Sequence, residues 1–126
     1  MKAAYLVSTS SSFEDDVWRA AAALGAVVDG PYAQYRDEQN HYLTIFGALD
    51  PRHAHDWRDD LAASPGLDDV PDLSTALAVS VECRWEDLFA AWIARLAARL
   101  PEAAWVVDGD GVVWPAAGVD PKTVRL

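Results

Sequence analysis

At 126 residues the chain is one domain's worth, and 52% apolar residues supply a packed core rather than a disordered coil. A net charge of −10, with ten Lys and Arg in all, argues against the basic footprint that displaces counterions from nucleic acid. No stretch reaches the ~20 apolar residues of a bilayer span, and the N-terminal run is too short for a signal peptide. The chain therefore reads as cytoplasmic, with neither nucleic acid nor membrane among its expected partners.

Residues Ala3 to Ser8 form a short apolar run that ends in the polar cluster Ser8–Ser12, a buried strand and its exit loop. Ser11 and Glu14 have capping-box spacing. Phe13, Val17, Ala20, Ala21 and Leu24 then recur at helical spacing, and Gly25 supplies a stop. Tyr32–Arg36 and His41–Leu49, joined by the polar Asp37–Asn40, predict an antiparallel hairpin. Asp50 as N-cap and Pro51 at the first position predict a helix running toward Pro65-Gly66, followed by an acidic loop over Leu67–Ser74.

The run Thr75–Cys83 alternates as a strand does, with Leu77, Val79, Val81 and Cys83 on one face. Trp85, Leu88, Phe89, Trp92, Leu96 and Leu100 make the strongest helical stripe in the chain. A closing hairpin is expected from Ala104–Val107, the turn Asp108-Gly109-Asp110-Gly111, and Val112–Trp114. The tail from Pro115 is assigned no element.

The order is β-α-β-β-α-β-α-β-β within a single domain, residues 1–126. It implies an α+β fold, a mainly antiparallel sheet with helices on one face. Two βαββ-like halves echo each other: "FEDDVW" and "WEDLFA" open the two long helices, and "AVVDG" and "WVVDG" follow them. The six tryptophans supply core volume that the many alanines do not. Cys83, the lone cysteine, reads as a buried core residue and excludes an internal disulfide.

Chemical motifs are scarce. "HAHDW" at 53–57 differs from the His-x-His-x-Asp-His run of the metallo-β-lactamase superfamily: Asp56 directly follows His55, Trp57 stands where the aspartate belongs, and Arg58 replaces the final histidine. On a helix, His53 and His55 would point about 200° apart and could not share an ion. "DGDG" begins like a calcium loop, but Val112 and Val119 fall at ligand positions, so a hairpin turn is expected. The serine run lacks a nucleophile elbow, and no glycine-rich phosphate loop occurs. No catalytic residue, metal or cofactor is assigned.

One feature remains. From Asp50 to Asp72 seven aspartates stand against Arg52 and Arg58, a net −5, half the formal charge of the chain. Such a face is either solvated or a docking surface for a basic protein. In the docking reading the contact residues are Asp56, Asp59, Asp60, Asp68, Asp69 and Asp72, with Trp57 as an aromatic anchor where it is exposed.

In size, acidity, α+β organisation, tryptophan content and lack of catalytic signatures, the chain resembles the small acidic immunity proteins that bacteria make against toxins. That resemblance implies a non-enzymatic inhibitor that blocks a basic toxin domain, with aspartates set against the toxin's active site. An alternative comes from the paired halves, which resemble the vicinal-oxygen-chelate fold of small-molecule binders and enzymes. That family places His and Glu ligands on strands, and here only His41 and Glu82 are suitably placed. A homodimer formed through a sheet edge is a third reading.

Overall fold

The computed structural model describes residues 2–126, and its architecture is set by one strand. β1 (Ala3–Ser8) lies in the middle of an eight-stranded sheet of order β2-β3-β4-β6-β1-β7-β8-β5. The strands are β2 (Val27–Val28), β3 (Tyr32–Arg36), β4 (Tyr42–Phe46), β5 (Ala62–Ala63), β6 (Leu77–Cys83), β7 (Trp105–Val107) and β8 (Val112–Pro115). Every pairing is antiparallel except β5 with β8.

Strand alternation divides the sheet into two faces. On one, Ala4, Leu6, Leu43, Ile45, Val79, Val81 and Val106 meet α1 (Phe13–Ala23) and α3 (Glu86–Ala97). Phe13 and Val17 of α1 and Phe89, Trp92, Ile93 and Leu96 of α3 are fully or almost fully buried there. The other face buries Val7, Ala78, Val107 and Val113 against Ala54, Trp57, Leu73 and Ala76. The expectation of helices on one face thus holds for the two long helices, while α2 (His55–Arg58) lies on the other.

The helix expected from Pro51 onward is much shorter than its start signals imply. A 3-10 turn (Pro51–His53), capped by the Asp50 carboxylate on Arg52 N, leads into the four residues of α2. Asp59 is then extended and Asp60 has φ +56°. The edge of β8 claims the backbone beyond: Ala62 N donates to Gly111 O at 3.0 Å and Ser64 N to Val113 O at 3.0 Å. Strand bonds have replaced helical ones.

The capping box is also absent. Ser12 is the N-cap of α1 and makes no side-chain cap bond, while Glu14 Oε1 accepts from Ala48 N at 2.8 Å in the loop after β4. The two echoing segments hold different places: β2, from "AVVDG", is an edge strand, and β7, from "WVVDG", pairs with the central strand. β1 of the first half lies between β6 and β7 of the second, so the halves interleave in one sheet.

The tail is part of the fold. Val119 and Val124 pack into the helix-side core, and Gly109 N donates to Arg125 O at 2.6 Å. The tail closes on Asp108, whose carboxylate is 5% exposed and accepts from Asp110 N, Val112 N, Trp114 Nε1 and Arg125 N at 2.9–3.2 Å. Removing that acceptor would strand four donors. Asp108→Ala is therefore expected to cost about 3 kcal/mol, read from urea unfolding, because the buried Trp114 indole N–H is orphaned at a cost on the order of 1–3 kcal/mol and three half-buried backbone N–H groups lose their acceptor as well.

Candidate functional site

The second face of the sheet is only half covered. Residues 49–76 form a strap over β1, β7 and β8, and Trp57 is its wedge: the ring is 4% exposed and packs at 5.1 Å on Tyr5. Besides its bonds to β8, the strap is tied to its own end by one carbonyl. Ala76 O accepts from Trp57 Nε1 (3.2 Å), Arg58 Nε (3.1 Å) and Arg58 Nη2 (2.8 Å). Trp57 is consequently core and offers no face to a partner, so it does not meet the condition set for an aromatic anchor.

The aspartates are arranged otherwise. Asp56, Asp59, Asp60, Asp68, Asp69 and Asp72 are all exposed on the outer side of the strap and its loop. The two arginines of the segment leave them uncompensated. Arg52 is held by both oxygens of Asp50, and Arg58 is spent on Ala76 O. Among the described residues, none of Asp59, Asp60, Asp68, Asp69 and Asp72 is ion-paired. Asp72 accepts from Ser74 Oγ at 2.7 Å and from Ser74 N, bonds that hold its carboxyl below the usual aspartate range.

Asp56 differs from the rest because it turns toward the sheet. Its Oδ2 accepts from Tyr5 OH at 3.2 Å, and its Oδ1 lies 3.1 Å from His55 Nε2. His55 therefore pairs with Asp56, where a longer helix would have set it against Asp59. Burial, then the adjacent Asp56 charge and hydrogen bond, hold the Tyr5 phenol above the usual tyrosine range. The 3-10 turn also changes the histidine geometry: the rings of His53 and His55 are 6.5 Å apart, centre to centre, and do not project from opposite sides of a helix. Among the described residues no cluster of three or more His, Cys, Asp or Glu is arranged to hold a metal ion.

Next to Asp56 is a cleft of about 310 Å³, floored by Ala3 and Ser80 and walled by Tyr5, Asp56 and the β7–β8 turn at Asp108, Gly109 and Gly111. From there to the far edge the sheet face is uncovered. Cross-strand pairs run outward along it: Ala3, Glu82, Thr44, Gln34 and Val27 in one row, and Tyr5, Ser80, Phe46 and Tyr32 in the next. Val27 is 73% exposed, and Tyr32 and Tyr42 are more than a third exposed.

His41 and Glu82 fall at different places. His41 stacks on Trp85 at 4.1 Å, and Glu82 lines a separate cleft with Lys2, Tyr42, Thr44 and Arg84. Cys83 is buried, its thiol against Trp85 O at 3.3 Å, and burial pushes its pKa up, away from nucleophile behaviour. No helix among the described residues is long and apolar enough to cross a membrane. Comparison with protein-family models, with curated proteins and with solved structures finds no match.

The sequence missed the open sheet face and the Tyr5–Asp56 contact. The first was signalled by Tyr32, Gln34, Tyr42 and Thr44 at alternate positions of one hairpin; the second has no sequence signal, because 51 positions separate the partners.

Two outcomes follow. Arg58→Ala leaves Ala76 O with only the indole donor and is expected to cost about 1.5–3 kcal/mol, the range for a charged hydrogen bond. Amide exchange should then rise through residues 59–76 while α1 and α3 stay protected. In a spectrophotometric alkaline titration, the Tyr5 signal isolated by subtracting Tyr5→Phe should shift toward lower pH in Asp56→Asn. Because the folded-state pKa of Tyr5 is raised, its contribution to stability is present below pH ~10 and is lost as pH rises further.

Proposed function

We propose that this protein is a non-enzymatic binding module of the immunity type, which blocks a basic toxin domain through the acidic strap. The observation that carries the reading is the charge on the strap: Asp56, Asp59, Asp60, Asp68, Asp69 and Asp72 are exposed, while Arg52 is taken by Asp50 and Arg58 by the Ala76 carbonyl, so neither arginine neutralises these six. A surface of one sign raises the encounter rate with an oppositely charged partner and falls off with salt. The uncovered sheet face beside the strap supports the same reading, since it mixes Tyr32, Tyr42, Phe46 and Val27 with polar Gln34, Ser80 and Glu82, the aromatic and polar mixture that interfaces use. The setting in which such a module acts is the bacterial cytoplasm, bound to a toxin.

The test begins with the genes that flank this one: each product is assayed for toxicity and basic charge, and a basic toxin domain among them is the expected partner. Co-expression should rescue cells from that domain, and stopped-flow association should slow steeply with added salt. Replacing Asp59, Asp60, Asp68 and Asp69 together by asparagine should slow association about tenfold and flatten the salt dependence, while the dissociation rate changes little. Asparagine is the substitution of choice at position 60, because φ +56° is tolerated by Asn and Asp but strained for lysine. Association that ignores both salt and the four substitutions would reduce the strap to a solvated surface.

A further inference from the structure

We infer that the cleft beside Asp56 is a socket for an arginine side chain, the anchor residue of the basic partner. This inference rests on the inhibitor reading of the strap and identifies the chemistry of its centre. Four segments far apart in sequence converge on the cleft: β1 through Ala3 and Tyr5, β6 through Ser80, the strap through Asp56, and the β7–β8 turn through Gly109 and Gly111. Its volume, about 310 Å³, is at the lower end of the range for ligand clefts.

Charge selects the occupant. Two aspartates line the cleft and no Lys or Arg does, whereas a cleft farther along the sheet sets Lys2 and Arg84 beside Glu82, and one at the ends of α1 and α3 sets Arg19 and Arg99 beside Asp16. Of the two acids, Asp108 is saturated by four N–H donors of the chain itself and contributes field rather than a free acceptor. Asp56 is the one that can receive a donor. Its Oδ2 takes one bond from Tyr5 and its Oδ1 one contact from His55, which fix the carboxylate plane and leave further lone pairs open to solvent.

A planar guanidinium matches such a carboxylate with two parallel N–H donors, which an ammonium cannot do. Tyr5 adds an aromatic face for the cation to lie against, held at a fixed tilt by Trp57 behind it. The Ser80 hydroxyl supplies a further acceptor on the floor. The strap is joined to the turn at the mouth: Ala62 N donates to Gly111 O at 3.0 Å, Gly111 has φ +75°, and the Asp60 carbonyl lies 3.2 Å from where a Cβ on Gly111 would sit. Glycine at 111 is thus required by the approach of the strap to the turn.

The test needs no partner. N-acetyl-L-arginine amide is titrated into the 15N-labelled full chain, with N-acetyl-norleucine amide as the uncharged control. The arginine probe is expected to give saturable shifts centred on the amides of Tyr5, Ser80, Gly109 and Gly111, and the control none. Asp56→Asn should weaken the probe about tenfold, and Tyr5→Phe, which keeps the ring and removes the hydroxyl, about threefold. Asp68→Asn with Asp69→Asn should leave it within about twofold.

The socket is overturned if the shifts do not saturate, if norleucine amide matches arginine amide, or if the 68/69 pair matters as much as Asp56. Failure of the inhibitor reading gives a different pattern: the probe still binds at Asp56 while toxin association ignores the strap. The converse pattern, strap-dependent association without probe binding, removes the socket alone.

Discussion

An eight-stranded sheet has two faces to cover, and this chain has long helices for only one of them. α1 and α3 fill the first face with aromatic and branched side chains. For the second face the chain supplies 28 residues without a long helix, residues 49–76, and these reach across β1, β7, β8 and the start of β6 only. That shortage has two consequences. The strap must be fastened by a few strong contacts, and β2, β3, β4 and the outer part of β6 keep an open surface. The Ala76 carbonyl meets the first need by gathering three donors from Trp57 and Arg58, so a short helix that would be marginal alone is held by one buried indole and one guanidinium.

Much of the architecture was legible because it rests on local pattern. The stripe in α3, the alternation in β6 and the turn residues of both hairpins each state their own structure, and the sheet is the only way to satisfy them together. The second helix misled because its start signals are real: Asp50 does cap and Pro51 does open a turn. Start signals do not set length. The apolar stripe there amounts to Ala54, Trp57 and Leu61, and by Leu61 the chain has met the free edge of β8, which offers bonds no isolated helix can better. The capping box failed for a related reason, since Glu14 found a tertiary donor at Ala48.

The candidate site divides along the same line. That residues 56–72 are acidic is plain from composition, and so is their exposure once the segment is placed outside the core. That Arg52 is taken by Asp50 and Arg58 by a carbonyl is not readable, because each could equally have neutralised one of the aspartates at 56, 59 or 60. Tyr5 shows the limit most clearly. In sequence it is one apolar residue of a buried strand; in the fold it is the residue that joins the core wedge Trp57 to the exposed acid Asp56.

The fastening of the strap also bears on how well acids placed there could bind. An acidic loop that must be ordered on contact loses conformational entropy at that moment, and part of its Coulomb gain is spent. Here the ordering is done in folding. Trp57 is buried and Arg58 is committed, so residues 56 to 60 are held in place before any partner arrives. Asp56 goes one step further, because Tyr5 and His55 fix the direction of its carboxylate as well as its position. In the proposed complex, a carboxylate that is exposed, oriented and backed by the Tyr5–Trp57 pair would contribute directional recognition, while the freer acids at 68 and 69 would contribute long-range attraction. The division between a rigid acceptor and a diffuse field follows from which aspartates sit within reach of the wedge, and that is set by the register of β1 under the strap.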